Sequence, residues 1–457
     1  MSEKQTGKLN QTQSKAARGA QKTKNSARLV VAYALLQMMR QSGYSNLVAE
    51  TRFDQLESQR DRAFASTLFY GVLERQITLR NIVAAYCRKP VEKLDPEVLC
   101  VLEMGLYQLL FLDSVPERAA VNESVLLTRR LGKGSASGFV NGVLRSFLRD
   151  GKPLTPGAEH LTALERLSVE ASAPAELCRL LIDQYGEETA RTFLLGALEP
   201  APVYIRVNTT RTTARALQEE LAGAGTAAEP TALADCLRLD RPGDVTAYPA
   251  FREGRFHVQD LASQLCCRAL DAQPGMRVLD ACSAPGGKAF TLAELMENRG
   301  EVVACDLYPA RVGLIASGAE RLGLTCVSPR VMDAARPDAD IGTFDRVLCD
   351  VPCSGLGIIR RKPELKYKPV ESFAGLPEVQ YEILTAAARL VRPDGVLVYS
   401  TCTLNKSENE AVIRRFLREH GTFAPQPVTE DGEFFRTLLP ESDGSDGFFF
   451  SAVRRIQ

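Results

Sequence analysis

A helical domain followed by an open, parallel α/β domain is the fold class this chain predicts, and three observations predict it. From Ala27 to Arg149, apolar residues recur at three- and four-residue spacing, as a helical bundle requires. From Ala262 onward, apolar strand-like runs alternate with helical stretches, the pattern of a doubly wound sheet. Between them, Gly-Lys-Pro-Leu-Thr-Pro-Gly at 151–157 is a clear break, and 457 residues are too many for one ordinary domain.

Taken in order, residues 1–25 are rich in Lys, Gln, Ser, Thr and Ala, with seven Lys/Arg against one Glu through Arg28. Too little there is apolar to fold, so a flexible basic arm is expected, either a plain solvated tail or a phosphate-contacting one. Residues 26–150 form the helical domain, with amphipathic helices starting near Arg28, Arg62, Val121 and Phe139 and a very apolar one from Pro96 to Leu112. Residues 151–261 make a linker and mixed subdomain, with helices over Ala175–Tyr185 and Glu188–Leu198 and a strand beginning at Val203. In residues 262–457 the strands are Met276–Cys282, Glu301–Asp306, Thr325–Asp333, Phe344–Asp350 and Gly395–Cys402. The run Gly447–Val453 closes the sheet as an antiparallel strand.

Composition bounds the function. Apolar content of 45% and charged content of 25% are those of a soluble globular protein. Fifty-six basic residues balance fifty-six acidic ones, so any nucleic-acid site must come from local clustering. The polar amino terminus carries no secretion signal, and the Val98–Leu112 stretch, broken by Glu103, is too short to span a bilayer. Twelve scattered cysteines without a CxxC pair, and only three histidines, argue against both disulfides and a metal site. A cytoplasmic monomer without metal or membrane contact is the expectation.

Ligands of a doubly wound sheet bind beyond the carboxyl ends of its strands. The first strand breaks into Asp280-Ala281-Cys282-Ser283-Ala284-Pro285-Gly286-Gly287-Lys288, where glycines admit a ligand close to the backbone and a helix start offers amides. The second ends at Asp306, about twenty residues on, suited to ribose hydroxyls. The third ends at Asp333, placed for an adenine amino group unless it merely caps a helix start, and the fourth at Asp350. The turn lacks the full G-x-G-x-x-G spacing, which weighs against a dinucleotide.

Two thiols meet this crevice. Cys353 follows Pro352, whose fixed backbone turns the chain out of its strand, and Cys402 ends the fifth strand before a helix. Cys282, Cys305 and Cys349 fall within strand ends and read as packing residues. A thiolate adding to carbon 6 of a pyrimidine makes carbon 5 nucleophilic, so the pattern points to carbon-5 methylation of cytosine or uracil. Physics alone does not rank Cys353 against Cys402 as nucleophile.

From about Val203 onward the chain resembles the RNA cytosine-5 methyltransferases of the Sun/Fmu and NOL/NOP/Sun group. The motifs that carry the resemblance are Arg206-Val207-Asn208, Val258 to Ser263, Cys282 to Lys288, Asp350 to Gly355, Ser400 to Thr403 and Glu408-Asn409-Glu410. The resemblance implies a Rossmann-like domain that binds S-adenosylmethionine through Cys282, Ser283, Ala284, Pro285, Gly286, Gly287, Lys288, Asp306, Asp333 and Asp350. It implies that Cys402 attacks, that Cys353 assists product release, and that Asp350 also faces the target cytosine. Arg360, Arg361 and Lys362 then form a basic segment suited to RNA phosphates. Residues 27–150 resemble the NusB-like RNA-binding domain through Gly105 to Leu110, Val121-Asn122-Glu123 and Phe139 to Leu144. That order matches the bacterial 16S rRNA cytosine-5 methyltransferase arrangement and implies 16S rRNA as partner. The alternatives are the same chemistry on transfer RNA, a non-catalytic RNA-binding factor, and a small-molecule methyltransferase, which would leave both thiols and the extra domain without a role.

Overall fold

The protein, described by a computed structural model over residues 26–40 and 45–457, divides into two compact units, one running to His160 and the other from Leu161 to Gln457. The basic arm expected over residues 1–25 lies outside the described residues.

In the first unit the helices are α1 (Ala27–Arg40), α2 (Ser45–Phe53), α3 (Gln59–Glu74), α4 (Gln76–Tyr86), α5 (Pro96–Phe111), α6 (Glu117–Arg130) and α7 (Ser137–Arg149). Helix α5 opens on a proline, whose missing amide would have been unpaired there anyway. It is buried continuously from Val98 to Leu109 because α1, α3, α4, α6 and α7 all pack on it. That central position explains why its sequence is apolar on every side. Its Glu103 is fully buried and accepts from Arg80 Nε at 2.8 Å. No helix among the described residues is long and apolar enough to cross a membrane.

The second unit opens with α8 (Ala163–Ala171), α9 (Ala175–Tyr185) and α10 (Glu187–Gly196). A small antiparallel sheet follows, built from β1 (Val203–Val207), β2 (Ala228–Pro230), β3 (Cys236–Leu239) and β4 (Phe256–Val258) in the order β2-β3-β1-β4. Helix α11 (Ala214–Gly223) covers it, and the short α12 (Pro249–Arg252) leads into β4.

The large sheet is flanked by α13 (Leu261–Ala269), α14 (Gly287–Leu295) and α15 (Pro309–Leu322) on one face, and by α16 (Leu376–Ala388) and α17 (Glu410–Glu419) on the other. Its strands are β5 (Arg277–Asp280), β6 (Glu301–Asp306), β7 (Val327–Val331), β8 (Phe344–Asp350), β9 (Val391–Thr401), β10 (Phe423–Gln426), β11 (Phe435–Leu438) and β12 (Phe448–Arg455). The order is β10-β12-β9-β8-β5-β6-β7, with β11 also on β12, and β5 to β9 run parallel. Alternate residues feed the two cores: Phe448 and Phe450 face α13 and α14, whereas Phe449 faces α16 and α17. The closing antiparallel strand is therefore β12, inserted between β9 and β10.

Strands β6 and β8 have the bounds expected from sequence. Strand β9 starts earlier, at Val391, because Arg392-Pro393-Asp394 is carried through an irregularity in its pairing with β8. It ends at Thr401, leaving Cys402 just beyond it. Chain order reverses at β5, which has β6 on one side and β8 on the other, so the ends of β5 and β8 flank the switch point.

Candidate active site

At the end of β5 the chain leaves the sheet through Ala281 and turns back into α14. Ser283 N donates to Cys305 O at 2.7 Å and Gly286 N to Ser283 O at 2.8 Å, which folds the turn over the neighbouring strand. Gly286 has φ of +110°, and a Cβ there would lie 2.4 Å from the Phe290 ring, so both backbone and space demand glycine. Asp280 is fully buried, with the Ser283 hydroxyl and the Cys282 amide as its neighbouring donors. Burial, and then the nearby charge of Asp350, push Asp280 up to about 7.

Asp306 sits at the end of β6 and is only 4% exposed. Its Oδ1 accepts from Tyr308 N at 3.1 Å, and Arg311 Nη1 lies 3.0 Å from its Oδ2. Arg311 Nη2 also donates to Ala284 O at 2.8 Å, so one guanidinium joins the glycine turn to the second strand. Sequence reasoning missed Arg311; the available signal was a cation in the first turn of the helix that follows a strand-end carboxylate. Asp333 lies two residues beyond the end of β7 and is exposed; its Oδ1 accepts from Ala335 N at 3.0 Å in a local turn, and no helix starts there for it to cap.

The two thiols come together. Cys353 Sγ and Cys402 Sγ lie 3.2 Å apart, although 49 residues separate them, because β8 and β9 are neighbours and both cysteines follow their ends. The loops that carry them are tied: Val351 N donates to Ser400 O at 3.1 Å, and Gly357 N donates to Cys402 O at 3.0 Å. Both cysteines are partly exposed. The hydrogen bond with Cys402, and then burial, hold the Cys353 thiol well above its ordinary range, and the charges of Glu408 and Asp350 add to this. Cys305 and Cys349 are fully buried in the core facing α16 and α17, as packing residues should be, while Cys282 is half-buried at its margin.

Asp350 ends β8 between the glycine turn and the thiols. Its Oδ2 accepts from Lys288 Nζ at 2.7 Å and its Oδ1 from Ser400 Oγ at 2.8 Å. Burial by itself pulls the Lys288 ammonium down, but the Asp350 carboxylate opposes it and prevails, leaving Lys288 above its ordinary range. Lys288 thus directs its side chain at Asp350, while its backbone belongs to the glycine turn.

Of the expected basic segment, Arg361 is committed inward. Its Nε donates to Asp446 Oδ2 at 2.6 Å, and its Nη2 donates to Asp260 Oδ2 at 3.1 Å and Pro202 O at 3.0 Å. It cross-links three segments instead of presenting a free charge. Arg360 donates to Glu199 O at 2.8 Å and Pro200 O at 2.6 Å, and Lys362 is half-buried next to it.

Three stretches match known families. Residues 25–149 match the NusB family, 173–246 the ferredoxin-like domain of RsmF/B-like methyltransferases, and 267–454 the family described as 16S rRNA methyltransferase RsmB/F. The chain is 38% identical over 450 residues to the probable ribosomal RNA small subunit methyltransferase B of Bacillus subtilis strain 168, covering 94% of this chain and 99% of that one. It is 34% identical over 443 residues to the ribosomal RNA small subunit methyltransferase B of Pseudomonas syringae pv. tomato, covering 94% and 97%. The crystal structure of PH0851 shares its fold with a TM-score of 0.80 and 26% identity, covering 94% of this chain and 98% of that one.

Proposed function

The chain belongs to the RsmB/F family of 16S rRNA methyltransferases, and we propose that it methylates carbon 5 of a cytosine in that RNA through a covalent cysteine–cytosine adduct. The observation that carries the reading is the pair of sulfurs 3.2 Å apart beside Asp350. Carbon-5 chemistry needs one thiol to attack and a second group to manage protons at the same base, and a cofactor crevice alone does not need either.

S-adenosylmethionine is the methyl donor, and the residues fit it. The buried Ser283 hydroxyl, the Gly286 turn and the first amides of α14 offer polar partners for its charged end. Residues Cys282 to Lys288 would hold it with Asp306, Asp333 and Asp350, and Arg311 joins that set. When bound, it supplies a methyl group activated on a sulfonium.

The protein's own residues supply the remainder. The target base leaves its stack to reach them, since its carbon 6 is otherwise shielded. Cys402 loses its thiol proton to solvent as its sulfur forms a bond to carbon 6, and the electron pair of the carbon 5–carbon 6 double bond becomes available at carbon 5. Asp350, fixed by Lys288 and Ser400, hydrogen-bonds the polar edge of the base as charge develops. After methylation, carbon 5 loses its proton, the double bond reforms and the bond to Cys402 breaks. Cys353, whose sulfur lies 3.2 Å from that of Cys402, gives its proton to the departing sulfur and takes up the one released from carbon 5.

The test is methyl transfer from labelled S-adenosylmethionine to protein-free 16S rRNA and to bulk transfer RNA, with sites mapped by bisulfite sequencing. A single protected cytosine in 16S rRNA is the expected result. Cys402→Ala is expected to abolish transfer, and Cys353→Ala to accumulate a protein–RNA adduct that survives denaturing electrophoresis. Activity in Cys402→Ala, with no adduct from Cys353→Ala, would exchange the two roles or remove the covalent step. Labelling of transfer RNA alone would keep the chemistry and overturn the substrate.

A further inference from the structure

We propose that Glu408 is the positioning residue for Cys353: its buried carboxylate clamps the Pro352–Gly355 loop to the segment that follows Cys402, and so sets the two sulfurs against each other. The inference rests on the covalent reading above and concerns the release half of that reaction.

Glu408 is 0% exposed and lies six residues after Cys402. Its Oε2 accepts from Ser354 N, the amide directly after Cys353, at 2.8 Å and from Gln380 Nε2 at 2.9 Å. Its Oε1 accepts from Asn405 Nδ2 at 3.0 Å. Gln380, on α16, also donates to Pro352 O at 3.0 Å, so the loop is held on both sides of the cysteine. From the β9 side, Tyr399 donates to the Glu408 carbonyl at 2.5 Å, and the Ser354 and Thr403 hydroxyls meet at 2.7 Å. Every bond in this set joins the Cys353 loop, the Cys402 segment, or α16 behind them.

The choice of a carboxylate is informative. Its hydrogen-bond partners are three neutral donors, and only an acceptor-only group meets three donors on two oxygens. A glutamine would put an NH2 against one of them. Asn405 is not free to turn its amide, because its Oδ1 already accepts from Gln184 Nε2 at 3.0 Å and from Ser407 N at 3.2 Å. A buried charge with neutral partners is costly to keep, which a purely structural bond would not require. The charge also has a chemical consequence: it is among the causes that keep Cys353 protonated, the state the departing sulfur needs.

The experiment uses the full chain with 16S rRNA and S-adenosylmethionine and compares Glu408→Ala and Glu408→Gln with wild type, Cys353→Ala and Cys402→Ala. Both Glu408 variants are expected to lose turnover by roughly tenfold or more, since small misplacements of a reacting group cost that much. KM for RNA should stay within about twofold, because the loop is asked to position a thiol and not to bind RNA. The diagnostic readout is the adduct: both variants should accumulate it as Cys353→Ala does, and adding Cys402→Ala should remove it. Should Glu408→Ala fail to fold, Glu408→Gln carries the same readout. If Cys353→Ala accumulates adduct and neither Glu408 variant does, the assignment of Glu408 is wrong. If Cys353→Ala gives no adduct, the covalent reading itself falls, and the role of Glu408 with it.

Discussion

Asp280→Asn should make the protein more stable at high pH. Asp280 is fully buried at the end of β5, and burial followed by the charge of Asp350 outweighs the opposing Ser283 and Cys282 hydrogen bonds and the Lys288 charge, raising it from 3.8 to about 7. A carboxyl raised on folding favours the native state while it is protonated, and that advantage is lost as pH climbs through the folded value. The gap between the two values corresponds to roughly 4 kcal/mol once pH is well above 7. Between about pH 5 and about pH 8, this group alone should cost the native state roughly 2–3 kcal/mol. Asparagine keeps the shape and removes the ionisation. Thermal unfolding of the cofactor-free protein should therefore show the Tm advantage of Asp280→Asn over wild type grow by roughly 5 °C between pH 5 and pH 8, at about 2 °C per kcal/mol for a domain of this size. A variant destabilised equally at both pH values would refute the reasoning, because it would mean that the carboxylate is paired and ionised in the native state.

Arg361→Ala should cost about 3 kcal/mol in unfolding free energy, since it leaves Asp260 and Asp446 facing each other with 11% and 9% exposure. Asp446 is already raised to about 6 by burial and by Asp260. The loss should therefore grow above that pH and shrink below it, and a pH-independent loss would point to packing alone. Gly286→Ala should weaken S-adenosylmethionine binding, read by calorimetry, and cost about 2 kcal/mol or more of stability from the left-handed backbone alone. A Phe290→Ala partner change should relieve only the steric part; full rescue would show that the backbone conformation is unimportant. Lys288→Met should leave the Asp350 carboxylate without its cation and lower turnover by at least tenfold, with S-adenosylmethionine affinity changed far less. An equal loss of both would show that the Lys288 side chain, and not only its backbone, holds the cofactor.

Much of the fold was legible because its determinants are local. Strands β6 and β8 each end in an apolar run followed by aspartate, and both have the bounds read from sequence. Pro96 opens α5 as a first-position proline should. The errors have physical causes as well. The fifth strand reads as starting at Gly395, yet pairing of Val391 with Phe344, across a register shift in the β8 ladder, starts β9 four residues earlier. Arg361 reads as a free surface cation, yet Asp446 and Asp260, remote in sequence, draw it inward. Arg311 carried no motif and became visible only where its guanidinium meets both Asp306 and Ala284.

By itself, the sequence determined which residue types lie at or just beyond the strand ends: the glycine turn, the carboxylates Asp306, Asp333 and Asp350, and the two cysteines. Those follow from periodicity and from the chemistry of each side chain, which a local stretch carries within itself. Only the tertiary structure decided which of them meet. Cys353 and Cys402 are 49 residues apart, Ser354 and Glu408 54, and Lys288 and Asp350 62. Their contacts exist because β8 lies between β5 and β9, and strand order is set by hydrogen bonding and core packing summed over the whole sheet. No single segment encodes that sum, so the crevice could be read from the chain, but the working distances inside it could not.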